Sequence, residues 1–187
     1  LSEVRTQFEV NVIGVLAVTQ ALLPLLRLAR GRIVNISSIA GLAATPFLGA
    51  YCSSKFALEA MSDALRLELA PWGISVSPVA PGANQSQIWQ RATMSATRTL
   101  GGVEPEAVAL YAQPLSRMQE VMAAAAARAI PAEVVARVVA DALIAARPRA
   151  RYLVGKDARF RATLKWILPD RAQDRLLAWF LGLPHRG

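Results

Sequence analysis

The chain has 187 residues, a net charge of +8 at pH 7, one cysteine and one histidine. This length is enough for one domain with a hydrophobic core. A lone Cys52 excludes an intrachain disulfide and leaves no cysteine partner for a zinc site, so it fits a reducing, cytoplasmic compartment. The lone His185 near the carboxyl end is interpreted as a solvent-exposed side chain, and we predict no metal site.

The positive charge comes from arginines spread along the whole chain, with one denser run at residues 147–151. Aromatic residues do not interleave with that run, as a platform for stacking bases would require. We therefore interpret the arginines as a solvated surface and predict no nucleic-acid partner.

The amino end is predicted to be helical. No basic stretch, apolar run and small-residue cleavage site precede this helix, so we predict no signal peptide and interpret the sequence as a fragment. The most apolar stretch, Val12–Leu26, is interrupted by Thr19, Gln20 and Pro24. It is shorter than the roughly 20 apolar residues that span a bilayer, so we predict a buried helix of a soluble protein.

Helical segments alternate with short apolar strands. We predict helices over Ser2–Arg30, Tyr51–Ala70, Pro131–Ala146 and Ala158–Leu183, the last broken at Pro169, and strands over Ile33–Ser37, Ile74–Val79 and Tyr152–Val154. This alternation predicts one α/β domain with a doubly wound, parallel, Rossmann-like sheet. A typical sheet has about five or six strands. Three predicted strands therefore suggest that the sheet is incomplete at its amino end.

Two further segments of this single domain are distinguished by their patterns. Residues 83–130 lack a strong period and are expected to form a helical substrate-loop region. Its scattered apolar anchors are Leu100, Leu110, Tyr111, Met118 and Met122. Residues 157–187 form a helical tail that is amphipathic, so docking onto its own domain, onto a second subunit or onto a membrane surface are all open.

The segment Tyr51-Cys52-Ser53-Ser54-Lys55 carries the strongest chemical signal. Residues four apart lie on one face of a helix, so the Tyr51 hydroxyl and the Lys55 ammonium can point into the same space. A nearby cation favours the phenolate and would lower the pKa of Tyr51 from its usual value near ~10. Such a tyrosine could act as a general acid or base near neutral pH.

A serine pair, Ser37-Ser38, ends the preceding predicted strand. Ligands of open α/β sheets bind beyond the carboxyl ends of the strands. We therefore expect Ser38 to face the start of the Tyr51 helix across the small-residue loop between them. The alternative interpretation is that Tyr51 and Lys55 form an exposed pair on a helix without a catalytic role.

These motifs together resemble the short-chain dehydrogenase/reductase family. The resemblance rests on Gly31-Arg32-Ile33-Val34-Asn35-Ile36-Ser37-Ser38, on Tyr51-x-x-x-Lys55, on Pro81-Gly82 and on Asn11 in the first helix. It extends over nearly the whole chain. It implies a Rossmann-like fold and an oxidoreductase that uses NAD or NADP.

The resemblance also implies roles for the catalytic residues. Tyr51 would be the general acid or base, and Lys55 would bind the nicotinamide ribose and lower the pKa of Tyr51. Ser38 would bind the substrate oxygen. Asn11 would hold a water that links Lys55 to solvent.

Cofactor binding is implied for a second group of residues. Pro81 and Gly82 would pass close to the nicotinamide, because glycine permits close backbone approach. Ser86 stands where the family often has a threonine. The family's Thr-Gly-x-x-x-Gly-x-Gly phosphate loop is absent from this sequence. We therefore predict that these 187 residues alone bind the cofactor weakly or not at all.

The predicted reaction is hydride transfer between nicotinamide and a carbonyl or secondary alcohol. An apolar, steroid-, retinoid- or lipid-like substrate is expected, because residues 83–130 offer mainly apolar anchors. A homodimer or homotetramer is implied by the family's paired helices. The alternatives are a sugar-nucleotide epimerase or dehydratase, which also uses Tyr-x-x-x-Lys, and a catalytically silent or membrane-surface scaffold of the same fold.

Overall fold

A computed structural model describes residues 1–85 and 104–183. The contacts divide the chain into two compact units. Unit 1 comprises Leu1–Gly82 and Glu133–Leu164, and unit 2 comprises Ala83–Ala132 and Lys165–Gly187. Each unit is described by itself, and the single domain expected from the sequence stays a prediction.

The described elements follow the predicted alternation of helix and strand. The helices are α1 (Ser2–Phe8), α2 (Gly14–Ala29), α3 (Gly49–Glu68), α4 (Pro105–Leu110), α5 (Ala112–Ala127), α6 (Ala132–Ile144), α7 (Lys156–Ile167) and α8 (Asp170–Leu181). The strands are β1 (Arg32–Ile36), β2 (Ser75–Pro81) and β3 (Tyr152–Val154). A π-helical turn, Glu9–Ile13, joins α1 to α2.

The three strands form a parallel sheet in the order β1-β2-β3. Ile36 of β1 pairs with Val79 of β2, and Val79 pairs with Tyr152 of β3. The carboxyl ends of all three strands therefore lie at the same edge of the sheet. The predicted α/β class with a parallel sheet is confirmed.

The core of unit 1 lies between the sheet and its covering helices. Leu69, Ile74 and Val76 form its buried centre. Helix α3 packs on β2 and buries the face that carries Leu58, which is 1% exposed. Because residues that recur at about every fourth position share a helix face, the buried positions of α3 fix its rotation relative to the sheet.

The segment from α1 to α2 departs from the sequence prediction in its burial. Within α1, the π-helical turn and α2, only Thr19 is buried, so the predicted buried helix is wrong for this structure. Among the described residues, Ser2–Ala29 is the one helical segment long and apolar enough to cross a membrane, with a mean hydropathy of 1.9. Length and composition alone are weak evidence for a span, because core helices and signal sequences meet the same criterion.

The end of α2 also differs in detail from the prediction. Arg30 adopts the left-handed conformation with φ 46° and ψ 49°, so the reversal falls one residue before the predicted stop at Gly31. The Gly31 N–H donates to the Leu26 carbonyl at an N–O distance of 2.8 Å. A Cβ at Gly31 would lie 2.8 Å from Leu26 Cδ2, the movable end of a side chain, and 3.6 Å from the Leu26 backbone, so Leu26 would have to rotate to admit a larger residue.

In unit 2, α4, α5 and α8 provide most of the described structure. The Asn84–Ile130 bridge joins the start of this unit to the segment after α5. Of the apolar anchors predicted for residues 83–130, Met118 is 5% exposed, whereas Leu110 and Tyr111 are 80% and 53% exposed. Leu100 lies outside the described residues.

Candidate active site

Ser38 follows β1 at the carboxyl edge of the sheet, as the sequence predicts. It lies outside the strand with extended backbone and begins a short 3₁₀ turn, Ile39–Gly41. Its Oγ accepts a hydrogen bond from the backbone N–H of Ala40 at 3.1 Å. This contact restrains the serine at the point where the strand turns toward α3.

The loop between Ser38 and α3 lies against the helix that carries the Tyr-x-x-x-Lys motif. A Cβ at Gly41 would lie 2.8 Å from the backbone oxygen of Lys55, so only glycine allows this approach. Arg161 of α7 donates to the carbonyl of Ala43 at 3.2 Å and to Thr45 Oγ1 at 2.8 Å. Arg161 could not be predicted from the sequence, because no local pattern links it to a loop more than 110 positions earlier.

Tyr51 lies in the first turn of α3 and is half-buried. Burial raises the pKa of its hydroxyl above 10.0, while a hydrogen bond from Ser38 opposes this rise in the pKa. This effect on the pKa places the Ser38 side chain near the Tyr51 hydroxyl. Ser38 therefore meets Tyr51 across the loop, as expected.

Lys55 lies one turn further along α3. Its Nζ donates to the carbonyl of Ile36 at 2.8 Å and lies 6.0 Å from the centroid of the Tyr51 ring. Burial lowers the pKa of Lys55, and the negative charge of Glu59 opposes that shift in the pKa. The motif thus places the ammonium at the carboxyl end of β1.

One electrostatic prediction is wrong for this structure. The spacing of Tyr51 and Lys55 predicts that Lys55 lowers the pKa of Tyr51, whereas the pKa of Tyr51 is raised. The reason is that burial disfavours the phenolate, and the Lys55 amine is engaged with the Ile36 carbonyl rather than with the phenol oxygen. Tyr51 is accordingly held in its protonated form.

Asn11 lies in the π-helical turn between α1 and α2. Such turns are rare and frequently mark functional sites. Its side-chain Nδ2 donates to Gln7 Oε1 at 2.9 Å and to Ser54 Oγ at 3.0 Å. The amide therefore ties this turn to α3, and the predicted water link to Lys55 stays a prediction.

The Pro81-Gly82 pair closes β2 at the same edge of the sheet. Pro81 is the last residue of the strand, and the N–H of Gly82 donates to the Val154 carbonyl at 2.9 Å. A Cβ at Gly82 would collide with the Asp157 carboxylate, so the close approach that glycine permits is made here by that carboxylate. The predicted nicotinamide contact stays a prediction, and Ser86 lies outside the described residues.

A buried ion pair lies on α3 one turn beyond Lys55. Glu59 is 4% exposed, and its Oε2 accepts from Arg151 Nε at 2.7 Å. Arg151 also contacts Asp63, with Nη2 and Oδ2 3.0 Å apart. The Glu59–Arg151 pair was missed because its partners are 92 residues apart, although a glutamate four residues after a lysine is a visible signal.

The assembled geometry suits proton transfer to or from an oxygen atom. A half-buried phenol, a serine hydroxyl near it and an ammonium one turn away lie at the carboxyl end of β1. This edge is where parallel sheets bind ligands. A carbonyl oxygen placed between Ser38 and Tyr51 would meet two hydroxyl donors, as acid catalysis requires.

Comparison with known proteins agrees with this geometry. The sequence profile of the short chain dehydrogenase family matches residues 1–96. The NADPH-dependent 3-dehydrocapnine reductase of Ornithobacterium rhinotracheale is 35% identical, over 94% of this chain and 62% of the relative. Human retinol dehydrogenase 16 is 33% identical, over 93% of this chain and 56% of the relative.

A solved structure supports the same assignment. The short-chain dehydrogenase from Streptomyces avermitilis superposes with a TM-score of 0.71 at 27% identity, covering 95% of this chain and 61% of that chain. The chain thus spans about 60% of the length of the proteins that it resembles. Because the family profile covers more than half of the chain and the Ser38–Tyr51–Lys55 geometry accompanies it, the chain belongs to the short-chain dehydrogenase family.

Proposed function

We propose that the full-length protein containing this chain is an NAD- or NADP-dependent oxidoreductase that interconverts a carbonyl and a secondary alcohol. The observation that carries the proposal is the position of Lys55, whose Nζ donates to the Ile36 carbonyl just before Ser38 and lies 6.0 Å from the centroid of the Tyr51 ring. The three groups occupy one edge of the sheet, and they come from two different elements.

The described residues fit part of a dinucleotide. The Lys55 ammonium and the Tyr51 hydroxyl can donate to the paired hydroxyls of a ribose, since lysine carries three N–H donors on a flexible stem. Pro81, Gly82 and Ser86 remain the predicted contacts to the rest of the cofactor. When bound, the nicotinamide supplies or accepts the hydride.

The protein's own contribution is the proton and its placement. A phenol is protonated at neutral pH, so Tyr51 can give its proton to a substrate oxygen and would become a phenolate. Ser38 holds that oxygen by a second hydrogen bond. In the reverse direction, an alcohol would return its proton to Tyr51.

An apolar substrate is supported by one relative and by unit 2. Retinol, the substrate named for human retinol dehydrogenase 16, is an apolar alcohol. Unit 2 contains a groove of about 570 Å³ lined mostly by apolar residues, among them Leu110, Pro114 and Trp179.

Turnover of the full-length protein tests the proposal. We expect oxidation of NADH or NADPH with apolar ketones and little turnover of sugars. Tyr51→Phe should lower kcat by about 10²- to 10⁴-fold, the usual contribution of general acid–base catalysis. Tyr152→Phe, which removes a hydroxyl that accepts from the Arg149 N–H at 3.0 Å, is the matched control and should keep wild-type activity.

Other outcomes would favour the alternatives. Equal rates for wild type and Tyr51→Phe would refute the assigned role. Turnover of a nucleotide sugar without net cofactor oxidation would favour an epimerase or dehydratase. An absence of turnover together with vesicle binding would favour a membrane-surface scaffold.

A homodimer or homotetramer is also proposed for the full-length protein. Val10, Val18 and Leu25 on the Ser2–Ala29 segment are 60–67% exposed, and Leu67 on α3 is 71% exposed. Contiguous exposed apolar surface is typical of interfaces. Light scattering should give the mass of two or four subunits, and cell fractionation should place the protein in the cytoplasm rather than with membranes.

A further inference from the structure

Ser54 lies between Tyr51 and Lys55 in sequence and is completely buried. Its hydroxyl donates to the backbone carbonyl of Tyr51, with an Oγ–O distance of 2.8 Å. The same hydroxyl accepts from the Asn11 amide, with an Nδ2–Oγ distance of 3.0 Å. One side chain therefore joins the π-helical turn to the first turn of α3.

The carbonyl that Ser54 binds belongs to the helical turn that carries the chemistry. In an α-helix the carbonyl of Tyr51 also accepts the backbone N–H of Lys55, because helical bonds connect residues four apart. A shift of this turn would move the phenol and the ammonium together. A misplacement of about 1 Å in such groups can cost about 100-fold in rate.

A second bond of the same kind provides an internal comparison. Asn35 of β1 donates to Ser62 with an Nδ2–Oγ distance of 2.9 Å, and Ser62 donates to the Leu58 carbonyl at 2.7 Å. Ser62 is as buried as Ser54, but it lies two turns further along α3. The two serines thus make equivalent contacts, and only Ser54 makes them at the turn of Tyr51 and Lys55.

We propose that Ser54 is a positioning residue that couples the π-helical turn at Asn11 to Tyr51 and Lys55. Its buried hydroxyl fixes where these two groups stand during proton transfer. This inference rests on the proposed function, and it adds a role for a residue that touches neither substrate nor cofactor.

The test compares three serine variants of the full-length protein. S54A removes the proposed coupling, whereas S62A removes an equally buried Asn–Ser contact elsewhere on α3. S53A removes an exposed hydroxyl that donates to the Ala50 carbonyl at 3.0 Å and does not contact Asn11. The readouts are kcat, KM, the pH dependence of kcat/KM and the melting temperature.

We expect S54A to lower kcat by about 10- to 100-fold and to leave KM nearly unchanged, because a displaced catalytic turn affects the transition state more than binding. It should also move the midpoint of the pH profile. S62A should melt at a lower temperature with the wild-type pH midpoint, and S53A should match wild type in both.

The N11A variant separates coupling from folding. It keeps the bond from Ser54 to Tyr51 but removes the amide, and N11A/S54A should be no slower than the slower single variant. A wild-type pH midpoint in S54A would overturn the proposal. So would a double variant whose loss in kcat equals the product of the losses in the two single variants. If S54A does not fold, the N11A variant tests the coupling instead. A wild-type pH midpoint in N11A would then refute it.

A separate result concerns the proposed function. Wild-type protein without turnover on any carbonyl would refute that function and leave Ser54 to be tested by titrating Tyr51. The ¹³C resonance of the Tyr51 ring should then titrate at a different pH in S54A and at the wild-type pH in S62A. Identical midpoints in the two variants would overturn the positioning role.

Discussion

The two compact units differ in the sequence separation of their polar contacts. In unit 1, side-chain hydrogen bonds join residues 43, 92 and 116 positions apart, as in Asn11–Ser54, Glu59–Arg151 and Thr45–Arg161. In unit 2, most of the described side-chain hydrogen bonds join residues within eight positions, such as Arg117–Glu120. The exception is Arg117 to the Phe180 carbonyl.

This difference shows which unit has contacts that fix the relative positions of its helices and strands. A constellation drawn from separate elements holds its geometry only when buried polar contacts fix those elements to one another. Unit 1 has such contacts around Tyr51 and Lys55. Unit 2 presents exposed apolar side chains on its helices, such as Leu110 and Trp179.

The largest expected effects test whether both units have well-packed cores. Leu58 of unit 1 and Leu181 of unit 2 are 1% and 2% exposed, so each leucine-to-alanine change should cost about 2–5 kcal/mol of unfolding free energy. Leu67→Ala and Leu110→Ala, at residues 71% and 80% exposed, are the controls and should cost far less. Urea unfolding measures the free energy of all four variants. A loss well below about 2 kcal/mol in Leu181→Ala would mean that unit 2 is loosely packed.

The second prediction compares one ion pair from each unit. Arg151→Ala leaves Glu59 buried without its partner. It should cost about 2–3 kcal/mol, less than a fully buried pair because the Arg151 side chain is 30% exposed. Arg117→Ala breaks a pair whose side chains are 53% and 62% exposed, so it should cost under ~1 kcal/mol. Equal losses in thermal unfolding would contradict the comparison.

The third prediction compares two glycines that are required for different reasons. Gly41→Ala should cost about 1–3 kcal/mol, because its Cβ would press on the Lys55 backbone. Gly182→Ala should cost about 1–2 kcal/mol from its left-handed φ of +64°, since its Cβ would meet nothing closer than 3.5 Å.

Activity distinguishes these two glycines further. Only Gly41→Ala should also lower kcat, because it displaces the turn that carries Lys55. Gly49→Ala, where a Cβ would meet no atom within 4 Å, is the control and should leave stability the same or slightly higher. A fully active Gly41→Ala protein would show that the loop can move without affecting the site.

The smallest expected effect concerns the titration of Tyr51. Its ring resonance should titrate above pH 10.0, and Ser38→Ala should raise the pKa of Tyr51 further by removing the bond that lowers it. A folded-state pKa above the unfolded value means that Tyr51 contributes stability below pH 10, and this contribution is lost as the pH rises through the folded pKa. Ser53→Ala is the control, and a lower midpoint in Ser38→Ala would contradict this account.

Local sequence patterns predicted the elements of unit 1 to within two residues at most of their ends. Tyr152–Val154 was predicted with its observed bounds, and the helix that carries Tyr51 begins two residues earlier than expected. Short apolar strands and helix stops are local signals, so the sequence alone was sufficient. The π-helical turn at Asn11 carried no such signal.

Burial and electrostatics were predicted less well. The apolar Ser2–Ala29 segment was expected to be buried, but periodicity identifies an apolar face without saying what covers it. The pKa of Tyr51 was expected to be lowered, because spacing reveals the nearby cation but not the burial of the phenol or the carbonyl that engages Lys55.

The amino-acid sequence by itself determined the family, the parallel sheet and the placement of a tyrosine and a lysine one turn apart, since each depends on residues close together in the chain. Only the tertiary structure decided the partners of that turn: Ser38 on the phenol, Ile36 on the ammonium and Asn11 through Ser54. These contacts join residues that are 13 to 43 positions apart. Such contacts form only when buried hydrogen-bonding groups must satisfy one another, and no local pattern encodes that requirement.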